Sequence, residues 1–271
     1  MLRPYPKPSC PSCLRGETEF ITIPAIDCKR AGKALNPIDM RCLLRSRIIF
    51  CFLSIFSFVA AEVSARTQQS SAGLVVADSE LASLAGMEIL KRGGNAIDAA
   101  IATALALSVV DQASSGLGGG GFMVIYRAKD KKSFALDFRE TAPAASRREV
   151  YVKDGKPVAA ASLTGPLAVG VPGEAAGLIE AHKKFGTLPM AVLAAPAVKL
   201  AADGFPLDAT LRIAIERGVN NLKRYADLGR IYMPNGEVPK EGDPIRQPQL
   251  ATTLKALAQQ GGEVFYRGWI A

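Results

Sequence analysis

What the chain lacks narrows its chemistry first. All five cysteines (Cys10, Cys13, Cys28, Cys42 and Cys51) precede residue 66. Everything after that point therefore cannot form a disulfide, bind zinc through sulfur or use a thiol nucleophile. Cys10-Pro11-Ser12-Cys13 has the spacing of half a zinc site, but no second pair and no histidine follows nearby. There is a single histidine, His182. It falls on an expected helix, four residues after Leu178 and three before Phe185, where a packed or surface ring is the expectation rather than a catalytic one. Without a second histidine, Ser114-Ser115 has no evident base. No metal site and no cofactor are expected. No internal repeat or low-complexity tract is present.

The chain also lacks a nucleic-acid signature. Its formal charge is +8, but nine Lys/Arg and five Asp/Glu lie before residue 66, which leaves 24 basic and 20 acidic residues for the rest. Those charges are interleaved rather than striped, and only 7% of residues are aromatic, too few for a base-stacking surface. Four consecutive glycines, Gly118 to Gly121, raise the question of a phosphate cradle. A phosphate-binding loop runs strand, glycines, helix and closes on Gly-Lys-Ser/Thr. Here the expected order is helix, glycines, strand, and that closing motif is missing. The glycines more simply permit positive φ or close backbone approach.

The front of the chain has the layout of an export signal. Met40 to Arg47 is short and basic, Ile48 to Ala61 is an uncharged apolar run, and Val63-Ser64-Ala65 places small residues before Arg66. The run falls short of the ~20 apolar residues of a membrane span. Three segments are expected: a spurious or disordered extension over 1–39, a signal peptide over 40–65, and a folded region over 66–271. The processed protein is then periplasmic or secreted, with no stable membrane span and no nucleic-acid partner.

The folded region opens on Gly73-Leu74-Val75-Val76-Ala77, which reads as a short buried strand. Asp78 or Ser79 can cap the helix that follows, which Lys91, Arg92 and Gly93 would end. Asn95 starts a second helix, with Asp98 three residues on as in a capping box. From Ala96 to Val110 this helix is apolar on nearly every face and rich in alanine, as suits a helix buried between layers. Phe122 to Tyr126 is apolar on both faces, the pattern of a central strand covered on both sides. A charged turn leads to a second strand with Phe134, Leu136 and Phe138 on one face and Ala135, Asp137 and Arg139 on the other. Helices are expected over 173–184, 189–202, 207–228 and 248–260, with an extended crossing segment over 158–171 and a proline-rich loop over 234–248. Arg139 beside Asp137 admits two readings. One is an exposed ion pair of little worth; the other is a guanidinium presented to fork onto a substrate carboxylate.

Three runs then stand out: Gly93-Gly94-Asn95-Ala96-Ile97-Asp98-Ala99-Ala100, Leu117-Gly118-Gly119-Gly120-Gly121-Phe122, and Leu136-Asp137-Phe138-Arg139-Glu140-Thr141-Ala142-Pro143. With Val171-Pro172-Gly173-Glu174-Ala175-Ala176-Gly177, Phe185-Gly186-Thr187, Ala195-Pro196-Ala197, Ala202-Asp203-Gly204-Phe205 and Phe265-Tyr266-Arg267-Gly268, they resemble the signature runs of the γ-glutamyltranspeptidase family, in family order across about residues 72–271. The resemblance implies an α+β fold, the αββα sandwich of the N-terminal-nucleophile hydrolases. It implies a proenzyme that cleaves itself into a large and a small subunit. It also implies γ-glutamyl transfer from glutathione and related amides to water or amino acids, through a threonine acyl-enzyme. Arg139 matches the family's α-carboxylate-binding arginine. Thr103, Thr164, Thr187, Thr252 and Thr253 do not lie in the family's nucleophile motif, so no catalytic residue is expected within this chain. The expectation is part of a large subunit, inactive alone. Two other readings stand beside it: another acylase of the same superfamily, and a non-catalytic exported module that binds a carboxylate.

Overall fold

The structure is a computed structural model and describes residues 69–271 apart from Ala72. The expected extension and signal segment, residues 1–65, lie outside the described residues. Ser71–Ala271 packs as one unit, of mixed α+β class.

Local signals account for the first two helices. Helix α1 is Glu80–Lys91, with Ser79 in an extended conformation at its N-cap. The cap side chain itself makes no capping bond. The Ser83 hydroxyl instead accepts from the Ala77 N–H (3.0 Å) and donates to the Ser79 carbonyl (3.1 Å). Gly93 adopts φ +88° just past the helix end, the left-handed position where glycine carries no Cβ penalty. Helix α2 is Ala96–Val110 and is opened by a full capping box. The Asn95 side chain accepts from Ile97 N–H and Asp98 N–H, while Asp98 accepts from Asn95 N–H.

Helix α2 is the hub of the unit. It is buried on nearly every face, as its alanine-rich composition predicts, and packs against α1 and two later helices. The α1–α2 crossing is close because Gly86 lacks a side chain; a Cβ there would lie 2.2 Å from Thr103 Oγ1. Strands β1 (Phe122–Arg127) and β2 (Lys132–Asp137) form an antiparallel hairpin in the register Phe122↔Asp137 to Arg127↔Lys132. Ile125 and Leu136 are buried on its inner face, and Phe134 stacks at 5.1 Å on Phe185.

Helix α3 (Glu174–Phe185) lies under this hairpin, and α4 (Met190–Asp203) packs on α2. A two-residue pair, β3 (Val152–Lys153) and β4 (Lys156–Pro157), precedes two 3₁₀ turns at Ala159–Ser162 and Pro166–Ala168. After α4 come β5 (Phe205–Pro206), α5 (Ala209–Arg224), α6 (Ala226–Tyr232), β6 (Pro244–Ile245), α7 (Pro248–Gln260) and α8 (Gly262–Tyr266). Helix α7 covers α4, and Ile245 and Phe205 are buried in the same core.

Four expectations need correction. Gly73–Ala77 does not take up strand structure, and Leu74 and Val76 are exposed rather than buried. Strand β1 is covered on one face only within the described residues: Phe122, Val124 and Tyr126 point outward, with Val124 81% exposed. An apolar pattern on both faces says that each face can be covered, not that this chain's own helices cover both. The single helix expected over 207–228 is two, broken where Tyr225 takes an extended conformation. The proline-rich loop after Pro234 contains β6, whose partner β5 lies some forty residues earlier.

Candidate functional site

The site grows from close backbone approach at the strand end. Beyond β2, Phe138, Arg139 and Glu140 continue in line and are held from two sides. On one side is the glycine turn. Gly121 exchanges hydrogen bonds with Phe138 (3.3 and 3.0 Å). A Cβ on Gly120 would sit 2.4 Å from the Phe138 carbonyl oxygen and 2.7 Å from the Glu140 nitrogen. On the other side is the start of α3. A Cβ on Gly173 would meet the Phe138 carbonyl oxygen at 1.9 Å, and one on Gly177 would meet the Phe138 ring at 2.1 Å. No L-residue with a side chain fits at these points without moving the strand end. Thr141 then pairs with Val171 through two backbone bonds (3.2 and 2.8 Å).

The glycine turn and α3 are also tied to each other. Gly173 N–H and Glu174 N–H both donate to the Gly119 carbonyl (2.8 and 3.0 Å). The Tyr266 hydroxyl of α8 donates to the Pro172 carbonyl (2.9 Å) and accepts from Ala176 N–H (3.1 Å). A phenol 94 residues away in sequence thereby fixes the turn into α3.

Arg139 sits at the clamped strand end, exposed to solvent. Asp137 is beside it, but the Asp137 carboxylate accepts from the Arg139 backbone N–H (3.1 Å). Among the described residues the Arg139 guanidinium forms no ion pair; the ion pairs present are local ones on helix surfaces and in the β1–β2 turn. The expected exposed Arg139–Asp137 pair is thus absent among the described residues, and the Asp137 carboxylate instead meets the Arg139 backbone. The guanidinium keeps its five donors for solvent or a ligand.

A cleft of about 500 Å³ opens on the glycine turn, with Glu140 and Glu174 in its wall. Glu140 lines it; Arg139 does not. Glu174 is only 7% exposed. Burial pushes its carboxyl up to about 7; the nearby Glu140 charge adds to the rise, and a hydrogen bond from Gly116 N–H opposes it. In sequence Glu174 is one member of the Val171–Gly177 run, with no role assigned to it. A glutamate opening a helix is usually a solvated dipole partner, and nothing local marks this one as buried.

Ser114 and Ser115 line the same cleft, while several other candidates take structural places. His182 is half-buried, and its Nε2–H donates to the Leu188 carbonyl (2.7 Å). The Thr103 hydroxyl donates to the Ala99 carbonyl (2.8 Å), Thr187 to Asp98, and Thr252 to the Pro248 carbonyl (3.1 Å). Among the described residues no group of three or more His, Cys, Asp or Glu could hold a metal ion, and no helix is long and apolar enough to cross a membrane.

Comparison with known proteins places this arrangement. A family model described as gamma-glutamyltranspeptidase matches residues 82–271. The chain is 43% identical over 201 residues to the glutathione hydrolase proenzyme of Bacillus subtilis, covering 73% of this chain and 34% of that protein. It superimposes on the gamma-glutamyltranspeptidase of Helicobacter pylori with a TM-score of 0.73 at 36% identity, over 76% of this chain and 59% of that one. It also resembles a cephalosporin acylase from Bacillus halodurans, with a TM-score of 0.65 and 31% identity, over 77% of this chain and 40% of that one. The chain spans about a third of the length of the curated relatives it matches.

Proposed function

This chain belongs to the γ-glutamyltranspeptidase family, and on that premise we propose that it supplies the carboxylate-anchoring part of a γ-glutamyl transfer site. Arg139 forks onto the α-carboxylate of the γ-glutamyl group of glutathione or a related amide. The observation that carries this reading is an exposed guanidinium with no ion-pair partner among the described residues, on a strand end fixed by glycine contacts on both sides. Orientation of this kind lets binding energy position the γ-carbonyl for attack.

The reaction uses a threonine nucleophile from a small subunit produced by proenzyme cleavage. Three threonines of the described part have hydroxyls already donated within the fold, which supports a nucleophile from outside them. The threonine oxygen adds to the γ-carbonyl and passes its proton to a base, for which a free α-amine serves. The amide C–N bond then breaks, the departing amine takes the proton, and water or an amino acid later accepts the γ-glutamyl group from the ester. The bare face of β1 at Phe122, Val124 and Tyr126 is where the rest of the large/small-subunit enzyme packs. Without that cover the chain aggregates and is inactive by itself. An export signal over residues 40–65 delivers the protein to the periplasm or the exterior.

A charge-assisted contact from Arg139 is worth about 1.5–3 kcal/mol, or roughly 10- to 150-fold in affinity. Arg139→Ala in the processed enzyme is therefore expected to raise KM for a γ-glutamyl anilide by that factor. An unchanged KM refutes the assignment. The structural likeness to the cephalosporin acylase supports a second reading, acyl transfer from a different amide. An enzyme that hydrolyses that acylase's substrate class and ignores γ-glutamyl anilide decides for it.

A further inference from the structure

Helix α3 presses on the strand end that carries Arg139, and it starts without a cap of its own. Its N-cap residue is Gly173, which makes no side-chain capping bond. A serine, threonine or aspartate ordinarily stands at this position and accepts from an N–H of the first turn. No such side chain fits here without moving the strand end, because a Cβ on residue 173 would lie 1.9 Å from the Phe138 carbonyl oxygen. The close approach that clamps the strand end therefore takes the cap away from the helix that clamps it.

The missing acceptor comes from residue 266. Tyr266 closes the short helix α8, which packs on α3. Its hydroxyl accepts from Ala176 N–H (3.1 Å), the third residue of α3 and a donor that a capping side chain would serve. The same hydroxyl donates to the carbonyl of Pro172 (2.9 Å), the residue before Gly173. One oxygen thus bridges the chain on either side of Gly173 and sets the angle at which it enters α3. The ring is half-buried, and burial raises the phenol pKa, so the donated proton stays in place at neutral pH. Glu174 N–H goes instead to the Gly119 carbonyl (3.0 Å). The start of α3 is therefore held by the glycine turn on one side and by Tyr266 on the other, while Gly173 and Gly177 bear on Phe138, the residue before Arg139.

We propose that Tyr266 is a positioning residue for the substrate anchor: its hydroxyl caps α3 in place of residue 173, holds the helix start against Phe138, and so presents Arg139 in a single register. The proposal rests on Arg139 as the carboxylate anchor. It also makes a claim that a purely structural tyrosine does not meet: the effect of the hydroxyl on substrate binding passes through Arg139.

The test uses the processed enzyme, in which the bare face of β1 is covered, and compares wild type, Tyr266→Phe, Arg139→Ala and the double variant. Phenylalanine keeps the ring and its edge contact with Phe265 (5.0 Å) and removes only the oxygen. Loss of a helix cap predicts a rise of about three- to tenfold in KM for a γ-glutamyl anilide, with kcat little changed. In the Arg139→Ala background the same substitution should change KM by less than about twofold, because the group it acts through is gone. Hydrogen exchange read by mass spectrometry on the same samples should be about fivefold faster over 173–177 in Tyr266→Phe and unchanged in α1 and α7. Unchanged exchange over 173–177 overturns the proposal. Where Arg139→Ala raises KM, an unchanged KM in Tyr266→Phe overturns it too, and so do additive effects in the double variant. Exchange that accelerates equally in α1 and α7, or a Tyr266→Phe variant that yields no processed enzyme, marks a merely structural residue and also decides against it. Where Arg139→Ala leaves KM untouched, faster exchange over 173–177 shows that the cap stands and that the anchor assignment is the part that fails.

Discussion

Replacing Gly177 by alanine sets helix propensity against packing, and the two disagree in sign. Gly177 lies inside α3. By propensity alone, Gly→Ala in a helix interior stabilises by about 0.5–1 kcal/mol. The structure predicts the reverse. The new Cβ would lie 2.1 Å from Phe138 Cγ, 2.5 Å from Cδ1 and 2.6 Å from Cβ. These are atoms at the root of the ring, which no small rotation removes, and the ring already abuts Gly121 on its far side. Overpacking of this kind costs about 1–3 kcal/mol and occasionally more. Net destabilisation of about 1–2 kcal/mol is expected, which at an m-value of roughly 2 kcal/mol/M lowers the urea midpoint by about 0.5–1 M. The control is Gly218→Ala in α5, where a Cβ meets nothing within 4 Å. Propensity acts unopposed there, and the midpoint should rise by a few tenths of a molar, from about 0.5–1 kcal/mol. Circular dichroism through a urea series reads both. A Gly177→Ala midpoint at or above wild type would refute the close contact of α3 with the strand end, and with it the account of why glycine occupies these positions.

Three other outcomes are expected. The Glu174 carboxyl is raised from 4.5 to about 7 in the folded state, so the folded chain binds the proton more tightly than the unfolded one and stability falls as pH rises from 4.5 through about 7. Each tenfold in proton affinity is worth about 1.4 kcal/mol, which bounds the loss at roughly 3–4 kcal/mol. Glu174→Gln should remove this loss, leaving the variant more stable than wild type at pH 8 but not at pH 4; equal urea midpoints at pH 8 would contradict it. Asp98 is 0% exposed. Burial raises its pKa, but bonds from the Thr187 hydroxyl and from Asn95, Thr187 and Leu188 N–H together outweigh that and leave it lowered. Its contribution is present above the unfolded value of 3.8 and is lost as pH falls through the folded one. Asp98→Asn turns an amide donor toward these N–H groups and should cost about 1.5–3 kcal/mol at pH 7; a chemical-denaturation midpoint equal to wild type would count against it. Val124→Lys on the bare face of β1 should raise the solubility of the isolated chain, read by light scattering, and should abolish activity if that face is covered in the enzyme; an active variant would show that it is not.

Much of this protein is decided within a few residues of each position. The capping box of Asn95 and Asp98 is an exchange over three residues, and the burial of α2 follows from an alanine-rich run with no polar face. The β1–β2 hairpin follows from two alternating segments around a charged turn, and Arg139 falls at its end by counting. The motifs and their order are a property of the sequence alone and suffice for the family. What the sequence left open depends on groups far apart in the chain. Asp98 is a helix cap by sequence, but tertiary structure makes it a clamp on Thr187, 89 residues later. Glu174 opens a helix by sequence, and only the approach of the glycine turn buries it against Glu140. Strand β1 has the same apolar pattern whether one face is covered or both, because periodicity records which surfaces tolerate burial and not which partner arrives. The glycines show most plainly where the division lies: a glycine run announces freedom from side chains, while the backbone that needs that freedom, here Phe138 to Glu140, is named only when the chain has folded back on itself.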